Sequence, residues 1–107
     1  MTINKTAEGS KVTFELGGHL GLSDAEKLEN EVKPVLNKAT ELIFDMHGAT
    51  YICSVALRVL LTAQKKMNSR GRMRVIRVPK PIMDIIETKG FTDIFYLEEA
   101  DADAAEA

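Results

Sequence analysis

The stretch Thr50-Tyr51-Ile52-Cys53-Ser54-Val55-Ala56-Leu57-Arg58-Val59-Leu60-Leu61 decides how this chain is read. It follows Glu41-Leu42-Ile43-Phe44-Asp45, where three consecutive bulky apolar residues suit a strand buried on both faces. From Ser54 to Lys65 the apolar residues take helical spacing, so strand gives way to helix at Cys53-Ser54. Ser54 falls where an N-cap belongs, and its hydroxyl can accept a hydrogen bond from an unpaired N–H of the first turn. The same turn suits an anion, because several N–H groups converge there and the helix dipole is positive.

On a wheel of about 3.6 residues per turn, Ala56, Val59, Leu60, Ala63 and Met67 gather into a core stripe. Ser54, Leu57, Arg58, Leu61 and Lys65 gather on another side. A hydroxyl, two leucines and two cations on one face read as a docking surface. The plainer alternative is that Leu57 or Leu61 packs under the Gly17–Gly21 loop.

Upstream, residues 2–7 are β-prone and pair with residues 11–16 across a turn at Glu8-Gly9-Ser10. The second run alternates, with Val12, Phe14 and Leu16 on one face and Lys11, Thr13 and Glu15 on the other. Gly17, Gly18 and Gly21 are read as ending the strand in a loop through His19-Leu20. Ser23 is the expected N-cap of the next helix, with Glu26 as its capping-box partner. Pro34 lies inside that helix's apolar period and should kink or restart it. His47-Gly48-Ala49 is read as a short link after the central strand, which spans residues 41–46.

Downstream, the central helix should run to about Arg70, with Gly71 as its stop. Residues 73–78 form a further strand. Pro79 and Pro81 start a helix that buries Ile82, Met83, Ile85 and Ile86 and ends at Gly90. Phe91, Ile94, Phe95 and Leu97 close the domain as an apolar cluster with a short strand. Residues 1–97 are thus one domain, and residues 98–107, an acidic and alanine-rich run, form a mobile tail. Strands alternating with helices after a hairpin imply an α/β fold, a mixed sheet of four to five strands with packed helices.

Composition narrows the function. The 107 residues carry a formal net charge of -2, which gives no global attraction to nucleic acid. No apolar run approaches the roughly 20 residues of a membrane helix, and Met1-Thr2-Ile3-Asn4-Lys5 lacks a signal-peptide core. One cysteine fits a reducing compartment, so the expected location is cytoplasmic. His19 and His47 have no Cys or His at ligand spacing, and no phosphate loop or dinucleotide fingerprint occurs, so no metal or cofactor is expected.

The run Tyr51-Ile52-Cys53-Ser54-Val55-Ala56-Leu57-Arg58-Val59-Leu60-Leu61 resembles the signature of the STAS domain of bacterial anti-sigma-factor antagonists. Gly18-His19-Leu20, the Leu42–Phe44 strand and Ile86-Glu87-Thr88-Lys89-Gly90-Phe91 fall in register with it. The resemblance implies a non-enzymatic binding domain, with no catalytic residues, that engages an anti-sigma factor with serine-kinase activity. It places the phospho-acceptor on Ser54, with a phosphatase to restore binding. The partner surface is then expected at Leu57, Arg58 and Leu61 and in the loop His19, Leu20, Gly21, Leu22 and Ser23. Cys53, Val55, Ala56 and Gly21 depart from the family's usual residues, and Cys53 and Gly21 replace two carboxylates. The alternative is a constitutive STAS scaffold or transporter-regulating subunit that is not phosphorylated.

Other readings of the same residues remain. Ser54 as a plain N-cap needs no modification. Cys53, at a helix N-terminus, could act as a redox sensor, although it has no resolving cysteine. Asp45 and His47 could serve Ser54 as base to nucleophile, but no Gly-x-Ser-x-Gly elbow supports that. Lys65, Lys66, Arg70, Arg72 and Arg74 lack interleaved aromatics and read as a solvated face.

Overall fold

The computed structural model describes residues 1–99. Its elements are β1 (Thr2–Glu8), β2 (Lys11–Leu20), α1 (Leu22–Val32), β3 (Glu41–Ile52), α2 (Ser54–Met67), β4 (Arg72–Val78), α3 (Lys80–Thr88) and β5 (Leu97–Glu99). A short 3-10 turn spans Val35–Asn37. The five strands lie in sequence order, β1 antiparallel to β2 and the others parallel. The mixed sheet expected from the sequence is therefore present.

Strand alternation sets the layers. Val12, Phe14 and Leu16 of β2, Leu42, Phe44 and Met46 of β3, and Met73 and Val75 of β4 share one core with the buried residues of all three helices. Phe14 and Phe44 stack across β2 and β3 with centroids 5.6 Å apart. The intervening residues Glu15, Asp45 and Arg74 lie on the other face. There Arg77 forks onto Asp45, and Arg74 bridges Glu41 and Glu98. The Glu98 hydrogen bond holds the Arg74 guanidinium charged above its ordinary value, and Asp45 does the same for Arg77.

Several boundaries differ from the sequence reading. Gly17 and Gly48 do not end their strands; they face each other in the β2–β3 ladder, with register shifts beside Gly17 and before His19. A Cβ on Gly17 would stand 2.6 Å from Thr2 Oγ1, so glycine lets the sheet close over that point. Thus β2 runs on to Leu20, and β3 runs through His47-Gly48-Ala49 to Ile52. α1 is capped at Gly21 rather than Ser23, and Asp24, not Glu26, accepts the Gly21 N–H at 2.9 Å. Pro34, which cannot donate an N–H, follows the end of α1 and starts the 3-10 turn. α2 stops at Met67, short of Arg70.

Gly71 follows, and a Cβ there would fall 1.9 Å from the Thr40 carbonyl, which accepts the Arg72 N–H at 3.0 Å. The first two residues of the tail expected from Glu98 belong to a strand instead. Glu98 and Glu99 are in β5, held by Arg74 and by pairing to Val78. The remainder of that expected tail, residues 100–107, lies outside the described residues.

Candidate functional site

The parallel strands β2 and β3 end side by side, at Leu20 and Ile52. The Cys53 N–H donates to the Leu20 carbonyl at 2.9 Å and ties the two exits together. α2 starts from that tie. In parallel α/β sheets this carboxyl-end edge is where ligands and partners are met, because loops and helix N-termini converge there.

The cap of α2 is Cys53, not Ser54. Cys53 has extended backbone (φ -80, ψ 166), and its Sγ accepts the Ala56 N–H at 3.4 Å. Ser54 is the first helical residue, and its side chain is exposed. Its hydroxyl bonds to no other described residue. The expected capping role thus passes one residue upstream, and the Ser54 oxygen is left facing solvent.

The wheel is also rephased. Ala56, Leu57, Leu60, Ala63, Gln64 and Met67 are buried, an arc of about 120° at about 100° per residue. Leu57 is only 1% exposed and belongs to the core, so it cannot touch a partner. Val59 and Leu61 sit at the two margins of the arc, half-buried, and Arg58 and Lys65 are exposed with Ser54. The physical reason is that α2 packs on both α1 and the sheet, which needs a wider stripe than one row of small and large residues.

The first loop divides in the same way. Leu20 is fully buried and is removed from the expected partner surface. His19, Leu22 and Ser23 are exposed and Gly21 is half-buried. The His19 ring stacks on Tyr51 with centroids 4.7 Å apart, so the two strand exits are joined by side chains as well as backbone. A Cβ on Gly21 would meet that imidazole at 3.3 Å. Glycine here leaves room for the stack where a carboxylate would crowd it.

Three exposed apolar residues frame the site: Leu22 at 71%, Val55 at 42% and Tyr51 at 41%. Val55 and Tyr51 were not picked out from the sequence. The available signal was a valine at a position usually small in the family, and the aromatic residue before Ile52. On one side of Ser54, Leu22, Glu26, Glu29, Val55, Arg58 and Thr62 line a groove of about 520 Å³ between α1 and α2. On the other, Ser54 shares a cleft of about 280 Å³ with Tyr51, Ile52, Asp84, Ile85, Thr88 and Lys89. Asp84 is paired with Lys80 at 3.0 Å and keeps that lysine protonated above its usual value.

Among the described residues, no cluster of His, Cys, Asp or Glu could hold a metal ion. None of their helices is long and apolar enough to cross a membrane. Asp45, His47 and Ser54 do not form a relay. The Asp45 carboxylate receives the His47 backbone N–H at 3.1 Å and the Arg77 fork, and its side chain is on the opposite face of the sheet from the helices.

A five-stranded mixed sheet, helices on one face and an exposed serine heading the second helix define a small α/β domain. The family described as "Mlab, STAS domain" matches residues 3–98, and the chain belongs to the STAS family. No curated protein sequence matches it significantly. The fold is similar to that of the anti-sigma factor antagonist SpoIIAA in its unphosphorylated form, with a TM-score of 0.81 and 13% identity over 98% of this chain and 93% of that one. An anti-sigma factor antagonist from Mycobacterium paratuberculosis gives a TM-score of 0.83 at 19% identity, covering 98% and 91%. The murine Slc26a9 anion transporter contains a similar fold, with a TM-score of 0.69 and 13% identity over 94% of this chain and 18% of the transporter. At these identities the likeness is one of fold.

Proposed function

We propose that this protein is a non-enzymatic anti-sigma-factor antagonist that acts in the cytoplasm and is switched by phosphorylation of Ser54. The observation that carries the reading is the Ser54 hydroxyl: exposed, uncommitted to capping, next in sequence to exposed Val55 and sharing a cleft with Tyr51. A kinase can reach such an oxygen without unfolding the helix. The oxygen forms the new P–O bond as the bond to ADP breaks, and its proton passes to the kinase. The phosphate brings about -1.5 to -2 charge beside the exposed apolar residues Tyr51 and Val55. At a closed interface that charge is desolvated against the partner, and binding falls by a few kcal/mol without a change of fold.

The partner in this reading is an anti-sigma factor with serine-kinase activity, and a phosphatase resets the switch. The contact residues are Ser54, Val55, Arg58, Leu61, Tyr51, His19, Gly21, Leu22 and Ser23. The test is binding to the cognate kinase. Ser54→Ala should bind like the wild type, whereas Ser54→Asp should lose about tenfold or more, roughly 1.4 kcal/mol. Equal affinities would remove the switch.

The second reading is a constitutive module, such as a transporter-regulating subunit. Cys53 and Gly21, at the two positions where the family commonly has carboxylates, favour it, as does the likeness to part of an anion transporter. Intact-mass measurement after incubation with the kinase and ATP separates the two readings, because only the first gains a phosphate.

A further inference from the structure

The cleft between the start of α2 and the end of α3 holds an imbalance of charge. Its ionisable lining groups are Tyr51, Asp84 of α3 and Lys89 at the α3 C-cap, and Ser54 lines it as well. Asp84 is engaged by Lys80, one turn earlier on the same helix. Lys89 makes no ion pair with any described residue, although it is exposed at the C-terminal cap of α3. A helix C-terminus favours a cation. Lys89 lines the same cleft as Ser54, a placement that suits the helix end and leaves its charge available.

Building on the reading of Ser54 as a phospho-acceptor, we infer that Lys89 is the internal counter-cation of the phosphoserine, so that modification ties the beginning of α2 to the end of α3. Arg58 is the other cation near Ser54, four residues on along α2, but it lines the groove on the α1 side. The two cations thus have separate tasks. Lys89 takes up the phosphate within the domain, and Arg58 stays directed to the partner surface. Phosphorylation in this scheme also closes the cleft, removing a concave feature from the interface as well as adding charge. Thr88 and Ile85 line the same cleft, and a lysine stem can lie along such a surface while its ammonium stays in water.

The test uses phosphoserine incorporated at position 54 during translation, so it does not depend on whether a kinase acts there naturally. The second ionisation of the phosphate is followed by phosphorus NMR through a pH titration in low salt. A neighbouring ammonium favours the dianion, so Lys89→Gln should raise that pKa by about half a unit. Lys66→Gln, at the far end of α2, is the control and should leave it unchanged. A shift in Lys89→Gln no larger than the control's overturns the inference, as does a shift found only in Arg58→Gln. Failure of the Ser54 switch appears in the binding and mass measurements, whereas failure of the lysine clamp appears only in this titration.

Discussion

The Sγ of Cys53 accepts the Ala56 N–H at 3.4 Å, so a weak thiol acceptor caps α2 while the hydroxyl of Ser54 stays outside. This relationship keeps Ser54 available, and it also leaves the helix capped below its best. A carboxylate at position 53 would accept the same N–H more strongly and sit at the positive end of the dipole. Cys53→Asp should therefore stabilise the fold by about 0.5–1 kcal/mol, and Cys53→Ala should cost less than about 0.5 kcal/mol. The urea midpoint of each variant checks this. An aspartate variant no more stable than the alanine one would show that the thiol contact is not acting as a cap.

Leu57 and Arg58 are neighbours in sequence with opposite fates, one in the core and the other in solvent. Leu57→Ala removes a fully packed side chain and should cost about 2–5 kcal/mol. Arg58→Ala should stay within about 0.5 kcal/mol of the wild type while weakening the partner complex. Equilibrium unfolding and binding, measured on both, separate the residue that builds the helix platform from the one that uses it.

The sheet could be read from the chain because its signals are local. Val12, Phe14 and Leu16 alternate, Leu42–Phe44 is unbroken, and Gly9 has the positive φ that its hairpin turn requires. Gly17 and Gly48 misled, since a glycine in sequence usually marks a turn, whereas here the two are paired inside the β2–β3 ladder and the close approach at Gly17 is to Thr2 of β1. The rotation of α2 was likewise hidden. A wheel orders the residues around an axis, but only contact with α1 and the sheet chooses which arc goes inward. Ser54 was placed correctly at the helix start. The displacement of its capping role to Cys53 depended on one backbone angle pair that periodicity does not carry.

Ser54 substitutions should separate binding from folding. The residue is exposed and holds up no neighbour, so Ser54→Ala and Ser54→Asp should unfold within about 0.5–1 kcal/mol of the wild type, the aspartate gaining slightly from the helix dipole. A large loss of stability in Ser54→Asp would mean that any binding defect came from the fold. Thermal unfolding run beside the binding assay decides which.

The bond between Arg77 and Asp45 carries the last prediction. Asp45 is 6% exposed, and its carboxylate is met by the Arg77 guanidinium from β4, 32 positions away. Arg77 reaches it from a left-handed backbone, with φ of 51, at the irregular step between Val75 and Val78 where β4 loosens from β5. Two effects therefore oppose each other at this residue: a charge pair that satisfies a buried carboxylate, and a backbone conformation that disfavours any side chain. Because the guanidinium is half-exposed, removing it should cost about 1–3 kcal/mol rather than the full value of a buried pair. Arg77→Ala loses the pair and keeps the strain. Arg77→Gly loses the pair but relieves the strain, and should be the more stable of the two by about 1 kcal/mol. Asp45→Asn keeps a hydrogen-bonding group of the same shape, and should cost less than Arg77→Ala because no buried charge is left behind. Denaturation midpoints for the three variants give the order directly. An Arg77→Gly variant less stable than Arg77→Ala would show that the positive φ is not a strain the native fold has to hold.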